Sequence, residues 1–164
     1  MSYIETERLI LRTWMPGDAP EWHAIASKPD VARYLVTKTP TLETIAAWIG
    51  KQIEEQDREG FSCWPVVRKE NGRLIGRCGL HRMPEGYVEI AWIFDSEVWG
   101  VGYAREAAGA VLRFSLQTLG LHDVYALIDP NNAPSIAVAN ALHMRFDRVV
   151  RAYRRDMLRY VAHG

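Results

Sequence analysis

Apolar positions recur along this chain with two different periods, and the switches between them lay out its elements. Arg8 to Trp14 reads as a strand, and Pro16-Gly17-Asp18 stops it and opens a helix. Leu42, Ile45, Ala46, Ile49 and Ile53 mark one face of a second helix, which Gly60 ends. Opposite them, Glu43, Lys51, Glu54, Glu55 and Arg58 form what reads as a solvated face. Phe61 to Val67 and Arg73 to His81 are strand-like runs flanking Glu70-Asn71-Gly72, and Asn-Gly predicts a tight hairpin between them. Pro84-Glu85-Gly86 then turns into Tyr87 to Phe94, an almost unbroken apolar and aromatic run of strand length. Ala104, Ala107, Ala108, Val111, Leu112 and Leu119 return to helical spacing. Val124 to Ile128 predicts a short buried strand, Asn132 to Leu142 a short helix, and Phe146 to Val161 a final antiparallel pair.

This order predicts an α/β fold of the α+β type, a mixed and mostly antiparallel sheet of about seven strands flanked by about four helices. The regular alternation of a doubly wound sheet is missing. The glycine turn after the fourth strand lacks the third glycine of a dinucleotide fingerprint, and no P-loop lysine follows it.

That turn, Val98-Trp99-Gly100-Val101-Gly102-Tyr103-Ala104-Arg105-Glu106-Ala107-Ala108, joins the buried strand to the start of the long helix. The first amides of a helix have no partner inside it and the dipole is positive there, so the junction suits a phosphate. Arg105 is a cation in the first helical turn, where an exposed one is disfavoured by roughly 0.3 to 1 kcal/mol. A bound anion would reverse that sign. The plainer readings are a tight turn followed by a solvated arginine.

Composition narrows the classes. The 164 residues suit one domain spanning 1–164, and 20 basic residues cancel 20 acidic ones, so no global field gathers nucleic acid or an anionic membrane. No apolar run approaches membrane-spanning length, and residues 1–7 show no leader pattern. Cys63 and Cys78 lie on adjacent predicted strands without metal-ligand spacing and read as buried free thiols, which fits a cytoplasmic location. The five histidines include no two at metal-binding spacing, so no metal is expected. Homodimerisation is left open.

Trp99-Gly100-Val101-Gly102-Tyr103-Ala104, with Glu106-Ala107 behind it, resembles the acetyl-CoA pyrophosphate loop of the GNAT acetyltransferase superfamily. Two further segments agree. Thr6-Glu7-Arg8-Leu9-Ile10-Leu11-Arg12 resembles the opening strand of the branch that acetylates N-terminal amines of ribosomal proteins, and Asp129-Pro130-Asn131-Asn132-Ala133-Pro134-Ser135 resembles its Asn-x-x-Ser helix start.

The resemblance implies an N-acetyltransferase that moves the acetyl group of acetyl-CoA to a primary amine by direct attack in a ternary complex. Trp99, Gly100, Val101, Gly102, Tyr103, Ala104 and Arg105 would hold the pyrophosphate. Ile93 and Phe94 would pair with the pantetheine arm where their strand splays from the next. The same splay would turn Glu89 toward the acetyl group as general base. Attack needs a neutral amine, and at pH 7 about one lysine in 2,500 is neutral against about one α-amine in ten. Glu89 in an apolar strand should have a raised pKa suited to taking that proton. The alternative is a glutamate on the solvent face, or one paired with Arg77 or Arg82 across the hairpin.

Ser135 is the residue expected to hydrogen-bond the departing sulfur, and Asn132, the helix cap beside it, is expected with Ser135 among the cofactor-binding residues; either could equally serve the fold alone. Many members of the superfamily carry a tyrosine general acid four residues beyond the Ser135 slot, where this chain has Ala139. His143 stands where glycine usually ends that helix, at a cost of roughly 1 to 2 kcal/mol if left-handed. His81 lies beside the expected cleft. Trp14, Trp22, Trp48 and Trp64 either pack the core or line an acceptor pocket. The acceptor may be a protein α-amine or a small amine such as a polyamine, amino acid or aminoglycoside. The rival readings are an acyl-CoA sensor without turnover and a nucleotide-binding protein using the loop for ATP.

Overall fold

The computed structural model describes residues 2–36 and 38–164. The chain runs β1 (Ser2–Glu5), β2 (Leu9–Arg12), α1 (Ala19–Ala26), α2 (Pro29–Ala32), α3 (Leu42–Glu59), β3 (Cys63–Arg68), β4 (Leu74–Arg82) and β5 (Val88–Phe94). It continues with α4 (Tyr103–Arg113), β6 (Asp123–Ile128), α5 (Ala133–Ala141), β7 (Arg145–Ala152) and β8 (Arg155–His163). The eight strands form one sheet in the order β1-β2-β3-β4-β5-β6-β8-β7. Neighbours are antiparallel except β5 and β6. The mixed, mostly antiparallel sheet is the one expected, with one strand and one helix more. The additions are β1 and the one-turn α2, both four residues long and too short to show a period.

The two sheet faces bury different cores. On one, α4 lays Ala107, Ala108 and Val111 against Leu9, Leu11, Trp64, Ile90 and Val124. Small residues on α4 let it sit close to the sheet. A π-helical turn, Phe114–Thr118, extends it. On the other face, α1 and α3 close over Trp14, Trp22, Ile25, Ile45, Ile49 and Leu74. Trp14, Trp22 and Trp64 are therefore core, whereas Trp48 is only half-buried.

The inner face of α3 departs from the expected stripe. Leu42 and Ala46 are exposed, and the buried row runs Ile45, Ile49, Gln52, Glu55 and Gln56. Glu55, expected in solvent, is 4 % exposed. Each of these polar groups meets a partner, as burial requires. Gln52 accepts from the Cys63 amide at 3.0 Å, Gln56 from the Trp64 indole at 2.8 Å, and Glu55 bonds His81 Nδ1 at 2.7 Å. The helix thus docks onto β3 and β4 partly through hydrogen bonds, which alternating hydropathy cannot announce. Thr41 caps its start, accepting from the Thr44 amide at 3.1 Å, and Gly60 ends it at φ 79°. Among the described residues no helix is long and apolar enough to cross a membrane.

Candidate active site

The turn between β5 and α4 is shaped by two glycines in the left-handed region, Gly100 at φ 79° and Gly102 at φ 86°. The first helical bond of α4 runs from the Glu106 amide to the Gly102 carbonyl at 3.1 Å. The amides before it are left without partners from the helix. The turn is anchored from behind by Asp95, which is fully buried and held by Lys28 at 2.6 Å and Arg73 at 2.9 Å.

A second anchor explains the Thr6-Glu7-Arg8 segment. Glu106 accepts from Thr6 Oγ1 at 2.6 Å, from the Arg8 amide at 3.0 Å and from Arg8 Nε at 2.6 Å. Burial alone would raise the Glu106 pKa, but these bonds outweigh it and hold it below the usual carboxylate value. Arg8 also reaches the Val101 carbonyl at 3.1 Å and lies 4.4 Å from the centre of the Tyr103 ring. The segment leading into β2 therefore clamps the glycine turn.

Beside the turn is a cleft of about 550 Å³ lined by Ile93, Phe94, Trp99, Gly100, Gly102, Tyr103, Ala104 and Arg105. Nearly every residue expected on the cofactor side is there. Val101 is not: it is 49 % exposed and its carbonyl is committed to Arg8. The Phe94 carbonyl is also committed, accepting from the Trp99 indole at 2.9 Å. That acceptor is thus occupied from within the fold. Ile93, expected to share the pairing, instead sits at a hydrogen-bonded position of the β4–β5 ladder opposite Arg77, so its backbone groups face β4 and not the gap. Arg105 is exposed at the rim.

β5 and β6 pair only at Glu89 with Tyr125 and diverge beyond it. A second cavity of about 260 Å³ lies on the α1/α3 face of the sheet and adjoins the first cleft at the gap. Tyr34, Trp92, Ile93, Asn132 and Ser135 line both. The Trp92 indole N–H is buried in this shared wall with no acceptor among the described residues.

Glu89 lies at the mouth of the gap, 4 % exposed, and lines the second cavity. Burial raises its pKa to about 7, against smaller opposing effects from the Tyr153 hydroxyl, His81 and Arg77. It is neither on the solvent face nor bound to Arg82, whose Nε goes to Glu59 at 2.8 Å. Tyr153, in the β7–β8 turn at φ 52°, donates its hydroxyl to Glu89 Oε2. Burial first and the Glu89 charge second push the Tyr153 phenol well above its ordinary range, so it stays a neutral donor. No period or motif marks Tyr153. It comes from the far hairpin, and only the β6–β8 pairing brings it to β5.

Asn132 caps α5, its side chain accepting from the Ser135 amide at 3.2 Å. Ser135 itself faces the junction of the two cavities. Ala139, in the slot expected for a tyrosine, is fully buried. His143 follows α5 at φ 60°, with its amide on the Asn140 carbonyl and that of Met144 on the Ala139 carbonyl, both at 3.0 Å. It is the strained helix end expected, away from the cleft. His81 lies across from Glu89 in the β4–β5 register and lines the second cavity, bonded to Glu55. That bond, ahead of an opposing burial effect, raises its pKa.

The expectation of no metal rested on linear spacing, and the register corrects its basis. Asp123 pairs with His163 across β6 and β8, bringing His122, Asp123 and His163 within reach of a single ion. The cluster is remote from the cleft, and His122 is 89 % exposed.

A mixed sheet opened at its parallel pair, with a glycine turn and helix start at the opening, defines the GNAT-like α/β fold. Residues 8–145 match the acetyltransferase (GNAT) domain family, and the chain belongs to that family of acetyltransferases. It is 30 % identical over 162 residues to the YkkB protein of Bacillus subtilis, covering 94 % of this chain and 92 % of that one. It is 29 % identical over 156 residues to the uncharacterized N-acetyltransferase p20 of Bacillus licheniformis, covering 93 % and 88 %. Among solved structures, a GNAT-family acetyltransferase from Bacillus anthracis superimposes with a TM-score of 0.82 at 26 % identity, over 96 % of this chain and 95 % of that one. A ribosomal-protein-S5-alanine acetyltransferase from Vibrio fischeri shares the fold at a TM-score of 0.79 and 19 % identity, over 99 % and 96 %.

Proposed function

We propose that this protein is an acetyl-CoA-dependent N-acetyltransferase that passes the acetyl group directly to a primary amine, with Glu89 as general base. The observation that carries the reading is a buried carboxyl with a pKa near 7 at the point where β5 leaves β6, lining one of two cavities that share a wall. A base is most effective when its pKa lies near the working pH.

The residues fit the group. Amides at the start of α4 that the helix itself does not engage suit a diphosphate, and the shared wall offers the orphaned Trp92 N–H to a polar arm. When bound, acetyl-CoA supplies the thioester carbonyl that an amine attacks. Glu89 then takes the proton the amine loses as the N–C bond replaces the C–S bond. Tyr153 holds the carboxylate form of Glu89 in place, and Ser135 stands at the junction to hydrogen-bond the departing sulfur. The V. fischeri enzyme's named substrate and the Thr6 to Arg12 segment support an α-amine as acceptor. Balanced charge and two buried free thiols support a cytoplasmic setting.

Thiol release from acetyl-CoA across an amine panel tests this. Glu89→Gln should lower kcat/KM by about 10²- to 10⁴-fold with CoA affinity by calorimetry unchanged. Turnover indifferent to Glu89→Gln, or CoA binding with no release for any amine, sinks the reading and favours a sensor.

A further inference from the structure

Arg77 occupies the acceptor cavity without a carboxylate partner. It lies on β4, on the face that carries Gly79 and His81, and forms no ion pair among the described residues. Its guanidinium is 4.9 Å from the centre of the Trp48 ring and 5.8 Å from that of Trp22, and Nη1 is 3.1 Å from Cys63 Sγ. Cys63 pairs with Gly79, which in turn pairs with Ala91. The guanidinium therefore leans along β4 onto the next row, on its β3 side, while Glu89 stands on β5 one row further along and across the sheet. Same-face rows are about 7 Å apart, and the row it reaches adjoins that of His81 and Glu89. Gly79 and Ala91 leave the floor between the cation and the base almost bare of side chain. The other arginine lining the cavity, Arg155, is taken by Asp129 at 2.8 Å.

A guanidinium is permanently charged, weakly hydrated and shaped to grip a carboxylate. Here the Trp48 and Trp22 rings already carry the protein's own cation, so a polycationic acceptor finds repulsion beside them. We propose that the acceptor is an amine bearing a carboxylate a few bonds away, seated on Arg77 while its nitrogen faces Glu89. The inference rests on the acetyltransferase reading of the cleft. Such a group belongs to a free α-amino acid or to a peptide whose first residue is Asp or Glu.

The test compares free amino acids, their carboxamides, polyamines, and peptides beginning with Asp, Glu, Asn or Gln. It reads both acetyl transfer and thermal stabilisation in the presence of CoA. Wild type should prefer the carboxylate over its amide by about 10- to 100-fold in kcat/KM in one of the two sets, and whether the free amino acids or the peptides show it identifies the source. Arg77→Gln should erase it chiefly through KM, and Arg77→Lys should restore part, with CoA binding intact in both. The wild-type preference decides even where Arg77→Gln fails to fold. Transfer without carboxylate preference overturns this inference alone. Stabilisation by the carboxylates but not their amides, with no transfer to any amine, keeps it and discards the transferase reading. Neither stabilisation nor transfer overturns both.

Discussion

The two halves of the cleft are built from different materials. The half beside α4 presents backbone: a turn with Gly100 and Gly102 at positive φ, amides left over at a helix start, and a wall of apolar side chains. The half under α1 and α3 presents side chains gathered from β4, β5 and the β7–β8 turn: Arg77, Glu89 and Tyr153. Backbone donors have one geometry whatever the neighbouring residues, so that half serves a ligand that never changes. Side chains from separate elements vary independently, so in the proposed reaction the other half is the one that sets which acceptor enters and when its proton leaves.

The largest expected effect is on stability, from the group that the proposed chemistry needs. The folded pKa of Glu89, about 7, lies above the ordinary 4.5, so folding favours its protonated form. Its contribution is complete below about pH 4.5 and lost as pH rises through about 7, a swing of order 3 kcal/mol. Glu89→Gln should therefore melt progressively higher than wild type as pH rises from about 5 to above 8. A melting difference flat across that range would contradict the buried, neutral-leaning carboxyl.

On the backbone side, Gly102→Val forces a β-branched residue into φ 86°. It should raise the KM for acetyl-CoA about tenfold, the equivalent of roughly 1 to 2 kcal/mol. At saturating acetyl-CoA, kcat should hold. A loss confined to kcat would mean the turn serves the chemistry rather than the anchor, and the contrast between halves would fail.

Tyr153→Phe removes a hydrogen bond that favours the Glu89 carboxylate. The base should then titrate above 7, moving the rising limb of the kcat/KM profile to higher pH and costing a few-fold in rate near neutrality. An unmoved limb would reduce Tyr153 to packing. The smallest effect lies outside the cleft: His143→Gly relieves φ 60° and should raise the melting temperature by about 2 to 4 °C with activity unchanged.

Legibility followed the same divide. The strand ending at Phe94, the glycine turn and the α5 cap with Asn132 could be read because each is a local pattern of period, glycine placement or capping chemistry. Glu89 could be reached only through the resemblance, which places the splay of its strand at the acetyl group, with its apolar surroundings suggesting the raised pKa. The α3 stripe was misread at Glu55 because a buried glutamate bonded to His81 has the same hydropathy as a solvated one.

The sequence by itself determined the order of elements and the glycine turn that opens α4, since these rest on interactions between residues near in the chain. Only the tertiary structure decided that Tyr153 meets Glu89, that Arg8 and Thr6 grip Glu106, that Arg77 stands unpaired beside tryptophan, and that His122, Asp123 and His163 converge. Those contacts join positions dozens of residues apart. Strand register and helix packing set them, and one chain's hydropathy pattern records neither.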